Sequence, residues 1–169
     1  MTALKLNREF LVRHLFALAV FAVLGGWFGF DAFVRYPRTP AAALYESIEK
    51  APPPAEMGQA KLDAFKAQKT KTQLVLAVFT LGAALLVALH LLSVAGFKFA
   101  YDDDGFVLQG KRFAWGDVRN VDESLWAKKS VLRISGNGWN ATLDAWHHAG
   151  VKELHEKLKA EGEKLKVGS

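Results

Sequence analysis

Polar and apolar positions fall into two regimes along the chain. Two mostly apolar runs, Phe10 to Phe30 and Leu74 to Phe97, dominate the first part, and beyond Phe97 the pattern changes to alternation with a period of two. Each run is longer than the roughly 20 residues that a helix needs to cross a hydrocarbon layer of about 30 Å, and neither contains an acidic residue. Two transmembrane helices are therefore predicted. Asn7 is placed to cap the first, with Glu9 in its opening turn and Arg8 and Arg13 at headgroup level. The helix should end near Phe30, with Trp27 in the aromatic belt and Asp31, Arg35, Tyr36 and Pro37 marking the far interface, and Pro37 and Pro40 stopping it. Leu44, Tyr45 and Ile48 recur at helical spacing and predict a short helix over Ala41 to Lys50. Pro52-Pro53-Pro54 is a stiff spacer, and Glu56 to Lys71 reads as a helix that enters the second span without a break.

After Phe97 the alternating positions are Phe97, Phe99 and Tyr101, then Phe106 and Leu108, Phe113 and Trp115, Val131, Leu132 and Ile134, and Trp139, Ala141 and Leu143. These predict short antiparallel strands. Turn signals separate them at Asp103-Asp104-Gly105, Gln109-Gly110-Lys111 and Gly136-Asn137-Gly138. A last helix is predicted from about Ala149 to Lys164, with Val151, Leu154, Leu158 and Leu165 as its apolar stripe and Lys152, Glu156, Lys159 and Glu163 facing water. The pattern divides the chain into a two-helix hairpin at 1–97, with an extramembrane loop at 31–73, and a small α+β domain at 98–169.

Composition adjusts this picture in three ways. The chain has 169 residues, so the two spans leave little material for a second core. Cysteine is absent, which excludes disulfides, thiolate metal sites and a cysteine nucleophile. The net charge of +5 is spread over the whole chain, with no segment basic enough to point to nucleic acid. Gly25-Gly26-Trp27-Phe28-Gly29 is a poor cleavage site, so the first run is expected to be a retained anchor and not a signal peptide.

The stretch Phe106 to Val121 contains a short hairpin followed by Trp115-Gly-Asp117-Val118-Arg-Asn-Val121, which resembles the W-x-D-[IV]-x-x-[IV] strand of bacterial domains similar to the pleckstrin-homology (PH) superfold. The resemblance covers about Phe97 to Leu165, fewer residues than a full seven-stranded PH domain. It implies that Trp115, Val118 and Val121 face the core, that Asp117 lies at a kink, and that one or two strands are missing or come from the linker. Bacterial proteins that place such a domain after a two-helix membrane hairpin resemble this arrangement, and the likeness implies a membrane-associated scaffold with no reaction of its own.

Candidate chemistry is sparse. Gly25 and Gly29 form a GxxxG pair, and Gly82, Ala84 and Ala88 supply small residues on the second span, so the helices have a device for close packing. His90, an ionisable residue inside the second span, is the candidate ligand for a haem or chlorophyll-type pigment, against the plainer reading of a histidine bonded to a neighbouring helix. His147, His148, His155 and Asp144 do not repeat a metal-ligand spacing, and Asp102-Asp103-Asp104-Gly105 lacks the register of a calcium loop. No serine sits in a nucleophile context, so no catalytic residue is assigned. Trp126 and Trp146 are the expected interaction residues.

The sequence therefore predicts a non-enzymatic accessory or scaffold subunit of a larger membrane complex, in contact with lipids and other subunits. Lipid-headgroup binding through Lys111, Arg112, Lys128, Lys129 and Arg133 is the alternative for the C-terminal domain. Lysines and arginines flanking the spans split evenly between the two sides, so the positive-inside rule gives a tie. The PH-like resemblance places both termini in the cytoplasm at an inner or plasma membrane.

Overall fold

In the computed structural model, which describes residues 1–167 with side chains through Ala160, two short strands precede the first helix, β1 (Thr2–Ala3) and β2 (Lys5–Leu6). The Asn7 side chain accepts the Glu9 amide at 3.0 Å and starts helix α1 (Arg8–Phe30), as the spacing predicts. This helix does not end at Phe30. It continues through a π-helical turn (Asp31–Arg35) into α2 (Tyr36–Arg38), a continuous helix of 31 residues. Pro37 falls directly after the π-helical turn, one residue before the helix ends at Arg38, so the amide it lacks interrupts the ladder only in the last turn. Helix α3 (Ala41–Glu49) follows, and α4 (Gln59–Ala95) is one helix of 37 residues that includes the second apolar run.

The residues fall into two compact units, His14–Leu89 and Met1–Arg13 with His90–Ser169. In the first, α1 and α4 lie side by side: a Cβ on Gly25 would stand 2.6 Å from the Leu81 side chain, and the Tyr36 hydroxyl accepts a hydrogen bond from Gln73 Nε2 at 3.2 Å. Lys66 Nζ donates to the carbonyls of Pro37 and Thr39 at 3.0 and 2.9 Å, capping the end of α2 with a cation. Tyr45 of α3 meets Phe65 with ring centroids 5.0 Å apart, which seats α3 on the first turns of α4. Asp31 is buried and accepts a hydrogen bond from Arg35 at 3.3 Å across the π turn. Both long helices have the length and composition to cross a membrane.

The second unit is sheet-rich. Strands β3 (Phe99–Tyr101), β4 (Gly105–Leu108) and β5 (Lys111–Ala114) form an antiparallel meander, and β1 joins its edge beside β3, with Thr2 opposite Tyr101 and Ala3 opposite Ala100. A 3-10 turn (Trp115–Asp117) leads into β6 (Val118–Asp122), followed by a helical turn α5 (Trp126–Lys129), β7 (Val131–Gly136) and β8 (Trp139–Asp144), and these three strands form a second antiparallel sheet. Strand β9 (His148–Ala149) pairs with β2, and α6 (Val151–Val167) closes the unit. The core consists of Phe99, Tyr101, Phe106, Leu108, Leu132, Ile134, Ala141, Leu143, Val151 and Leu154. Glu163 and Leu165, predicted for the polar face and apolar stripe of the last helix, lie outside the residues whose side chains are described.

The hairpin signals have physical counterparts. The β4–β5 turn places Gln109 and Gly110 at φ +50° and +84°, both positive as a tight two-residue turn requires. Gly105 admits no side chain, because a Cβ would lie 2.1 Å from the Phe113 carbonyl oxygen. Two sequence expectations change. The first nine residues, read as a polar lead, supply two strands, so the sheet-rich unit is not confined to residues after 97. Trp115 lies in the 3-10 turn and is half-buried, while Val121 stays 38% exposed because β6 is an edge strand. A bulge between Val118 and Asn120 puts Val121 opposite the buried Ile134.

Candidate functional site

Chemistry-bearing side chains gather within the sheet-rich unit, around the first turns of α1, the last turns of α4 and the loop after β8. The Asp144 carboxylate accepts the Trp146 amide at 2.8 Å, fixing the loop between β8 and β9, and its other oxygen stands 3.5 Å from His147 Nδ1. His147 then meets Phe10 and His90 with ring centroids 4.8 and 5.5 Å away, and Phe10 and His90 are 5.7 Å apart, all in edge-on geometry. Phe10 is fully buried in this cluster. Arg13, one turn along α1, carries its guanidinium 5.2 Å from the Trp146 ring, a cation–π contact. His90 thus joins the opening turns of α1 and the end of α4 to the β8–β9 loop. Sequence spacing did not reveal this, because Phe10, His90 and His147 are far apart along the chain.

The other histidines go elsewhere. His148 is buried, its Nε2 lies 3.4 Å from the Val94 carbonyl, and its ring sits 5.2 Å from that of Phe97. Burial holds its pKa below the ordinary imidazole value, with the Val94 carbonyl working against that shift. A neutral ring donates from Nε2 to the carbonyl, and Nδ1 has no hydrogen-bond partner. His155 is also buried, bonded to Glu123 at 2.9 Å and in tilted contact with the Trp126 ring, centroids 3.9 Å apart. Trp126 is consequently half-buried and packed against the core, not the open contact residue expected from sequence. Trp146 is 38% exposed.

Among the packing residues, Gly25 is buried and makes the close contact with Leu81. A Cβ on Gly29 or Gly82 would meet nothing within 4 Å, so within this chain the GxxxG pair acts through one glycine. Ala84 is buried and Ala88 half-buried.

At the β3–β4 turn, Asp102 accepts hydrogen bonds from the amides of Asp104 and Gly105, both at 3.1 Å, and from Arg112 at 3.2 Å. Desolvation opposes ionisation there, yet those amides and the guanidinium together hold its carboxyl below the usual carboxylate range. Lys157 of α6 donates to the Asp102 carbonyl and to Asp103, both at 2.7 Å, and lies over the rings of Tyr101 and Trp115. Burial and the Glu153 charge push the Tyr101 phenol up, against the pull of Lys157. The Trp115 indole donates to the same Asp102 carbonyl at 3.1 Å. These contacts fasten the last helix to the first sheet.

The site therefore offers aromatic and cationic contact surface around the helix ends. No family model matches the chain, and no curated protein or solved structure matches it either.

Proposed function

We propose that the chain is a non-catalytic accessory or scaffold subunit of a membrane complex, anchored by α1 and α4 and presenting a PH-like binding domain at the bilayer surface, with both termini in the cytoplasm. The observation that carries this reading is the exposure of the two long helices. Only 17% of the most apolar stretch of each is buried, whereas the core helix of a water-soluble protein is mostly covered. Phe16, Phe33, Phe79, Leu86 and Leu92 are each more than two-thirds exposed, and an apolar surface of that size marks contact with lipid or with another apolar chain.

Two further observations support the domain and the placing of both termini in one compartment. A four-stranded sheet, a three-stranded sheet and one closing helix are the parts expected of a PH-like fold, with β1 supplying the strand that residues 98–169 lack. Pairing of β1 with β3 needs residues on both sides of the hairpin to be in one compartment, which an even number of spans provides.

The test is purification of the full chain in mild detergent at native expression. Resistance to alkaline extraction and a membrane partner recovered in fixed ratio are expected. A chain that is released by alkali, or that purifies without any partner, would overturn the reading, and a visible absorption band in the purified protein would assign His90 as a pigment or haem ligand instead.

A further inference from the structure

Residues 2–6 form a strap on the sheet-rich unit, held at both ends by strands of only two residues. β1 pairs with β3 and β2 with β9, and the Leu4 amide donates to the Phe99 carbonyl at 2.9 Å. No side chain of residues 1–6 is fully buried; Leu4 and Leu6 are half-buried, and of the two it is Leu4 that packs against the core. Phe10, fully buried against His90 and His147, instead anchors the start of α1. Asn7, which caps α1 through the Glu9 amide, marks the hinge between strap and helix. A segment with so few buried contacts opens at far lower cost than the whole unit unfolds.

His148 sits under this strap. The register sets it opposite Leu6 in the β2–β9 pair, and both line a cleft of about 410 Å³ whose other apolar walls include Leu4, Val94 and Phe97. It is 6% exposed, its Nδ1 has no hydrogen-bond partner, and Nε2 has one acceptor, the Val94 carbonyl at 3.4 Å. A neutral ring leaves only a lone pair unused. An imidazolium carries protons on both nitrogens, and in a buried site each proton needs an acceptor and the charge needs a counter-ion.

The surrounding groups do not meet that need. The cleft lining contains no acidic residue and carries Lys98. Lys5, in register with Ala149, points to the opposite face of the β2–β9 pair. His147 has its ring centroid 6.3 Å away and itself meets His90 of α4, so the other imidazoles nearby add charge of the same sign if they are protonated. Asp144 favours a charged His148, but its carboxylate is already turned to His147 Nδ1 at 3.5 Å and to the Trp146 amide at 2.8 Å.

We infer that acid releases the strap: protonation of His148 drives residues 1–6 off β9 and β3, lets the imidazolium reach water, opens the cleft along its Leu4 and Leu6 wall and leaves the edge of β3 unpaired. The open form wins because it solvates a charge that the closed form buries without an anion.

Hydrogen exchange of the full chain in detergent, corrected for the intrinsic pH dependence of exchange, tests this. Protection of the Leu4 amide should fall about tenfold between pH 7 and pH 5, within the ceiling of about thirtyfold that an imidazole of ordinary pKa near 6.5 sets when the open form alone binds the proton. Exchange at Leu4 should also be nearly independent of low urea concentrations, as a small local opening requires, whereas exchange in β7, the middle strand of the second sheet, should rise with urea. His148→Phe and His148→Gln, which take up no proton in this range, should each hold the acid response of Leu4 below about twofold. The imidazole nitrogen shifts of His148 give a readout that needs no variant, since its protonation should track the loss of Leu4 protection. Equal protection and equal urea dependence at Leu4 and β7 would overturn the inference, as would a tenfold acid response that persists in either folded variant, or a His148 that becomes charged while Leu4 stays protected.

Discussion

Single side chains decide how the two long helices meet and how the sheet-rich unit responds to pH. Gly25→Leu drives a side chain into Leu81 and should cost about 1 to 3 kcal/mol, whereas Gly29→Leu, with open space around it, should change stability by less than about 0.5 kcal/mol. Thermal unfolding of both variants in detergent checks this, and equal effects would show that the close contact is not where Gly25 places it. His148 gives a pH dependence whose sign follows from its burial. Its folded pKa is depressed, so the unfolded chain takes up the proton first; the contribution is full above about pH 6.5 and is lost as the pH falls below that value. The melting temperature should therefore drop between pH 7 and pH 5, and His148→Phe should flatten that slope. Trp115→Ala removes a ring that packs on Phe106 and an indole that donates to Asp102, and should cost about 3 kcal/mol, the lower end of the range for a tryptophan because the ring is half-buried.

At the scale of elements, what was legible in the sequence was whatever periodicity encodes locally. The apolar runs, the helix over Ala41–Glu49, the meander from Phe99 to Ala114 and the β7–β8 hairpin all follow from spacing and turn residues. Strands of two residues carry no period, so β1, β2 and β9 were invisible; they exist because β3 and the chain near His148 present free edges to residues 2–6. The extension of α1 past Phe30 was hidden for another reason, since Asp31, Arg35 and Pro37 read as a boundary although Arg35 neutralises Asp31 and Lys66 caps the end. The junction cluster of Phe10, His90 and His147 was not legible either, because only the fold brings those rings together. Leu4→Pro tests the least legible element. It removes the amide that donates to Phe99 at 2.9 Å, and the orphaned carbonyl should cost about 1 to 3 kcal/mol. Hydrogen exchange at Ala100 and Tyr101 should rise with it, and unchanged protection there would show that β1 contributes nothing to the sheet.

For the whole molecule the absence of cysteine is an experimental advantage, because single cysteines introduced at Ala55 and Lys128 report topology directly. Opposite labelling by an impermeant thiol reagent is expected from intact vesicles, and equal labelling would refute a two-span hairpin. The edge strand β1 carries a consequence beyond stability. Strand β1 is synthesised before β3 and has no partner until β3 has been made, so the segment between them is in effect a loop that the sheet must close. On the proposed reading of α1 and α4 as membrane spans, closure succeeds only if the chain crosses the bilayer an even number of times. Completion of the sheet thus works as a parity check on insertion: a chain that fails to turn back keeps β1 and β3 in different compartments and leaves an unpaired edge and an incomplete core, the kind of surface that quality-control proteases attack.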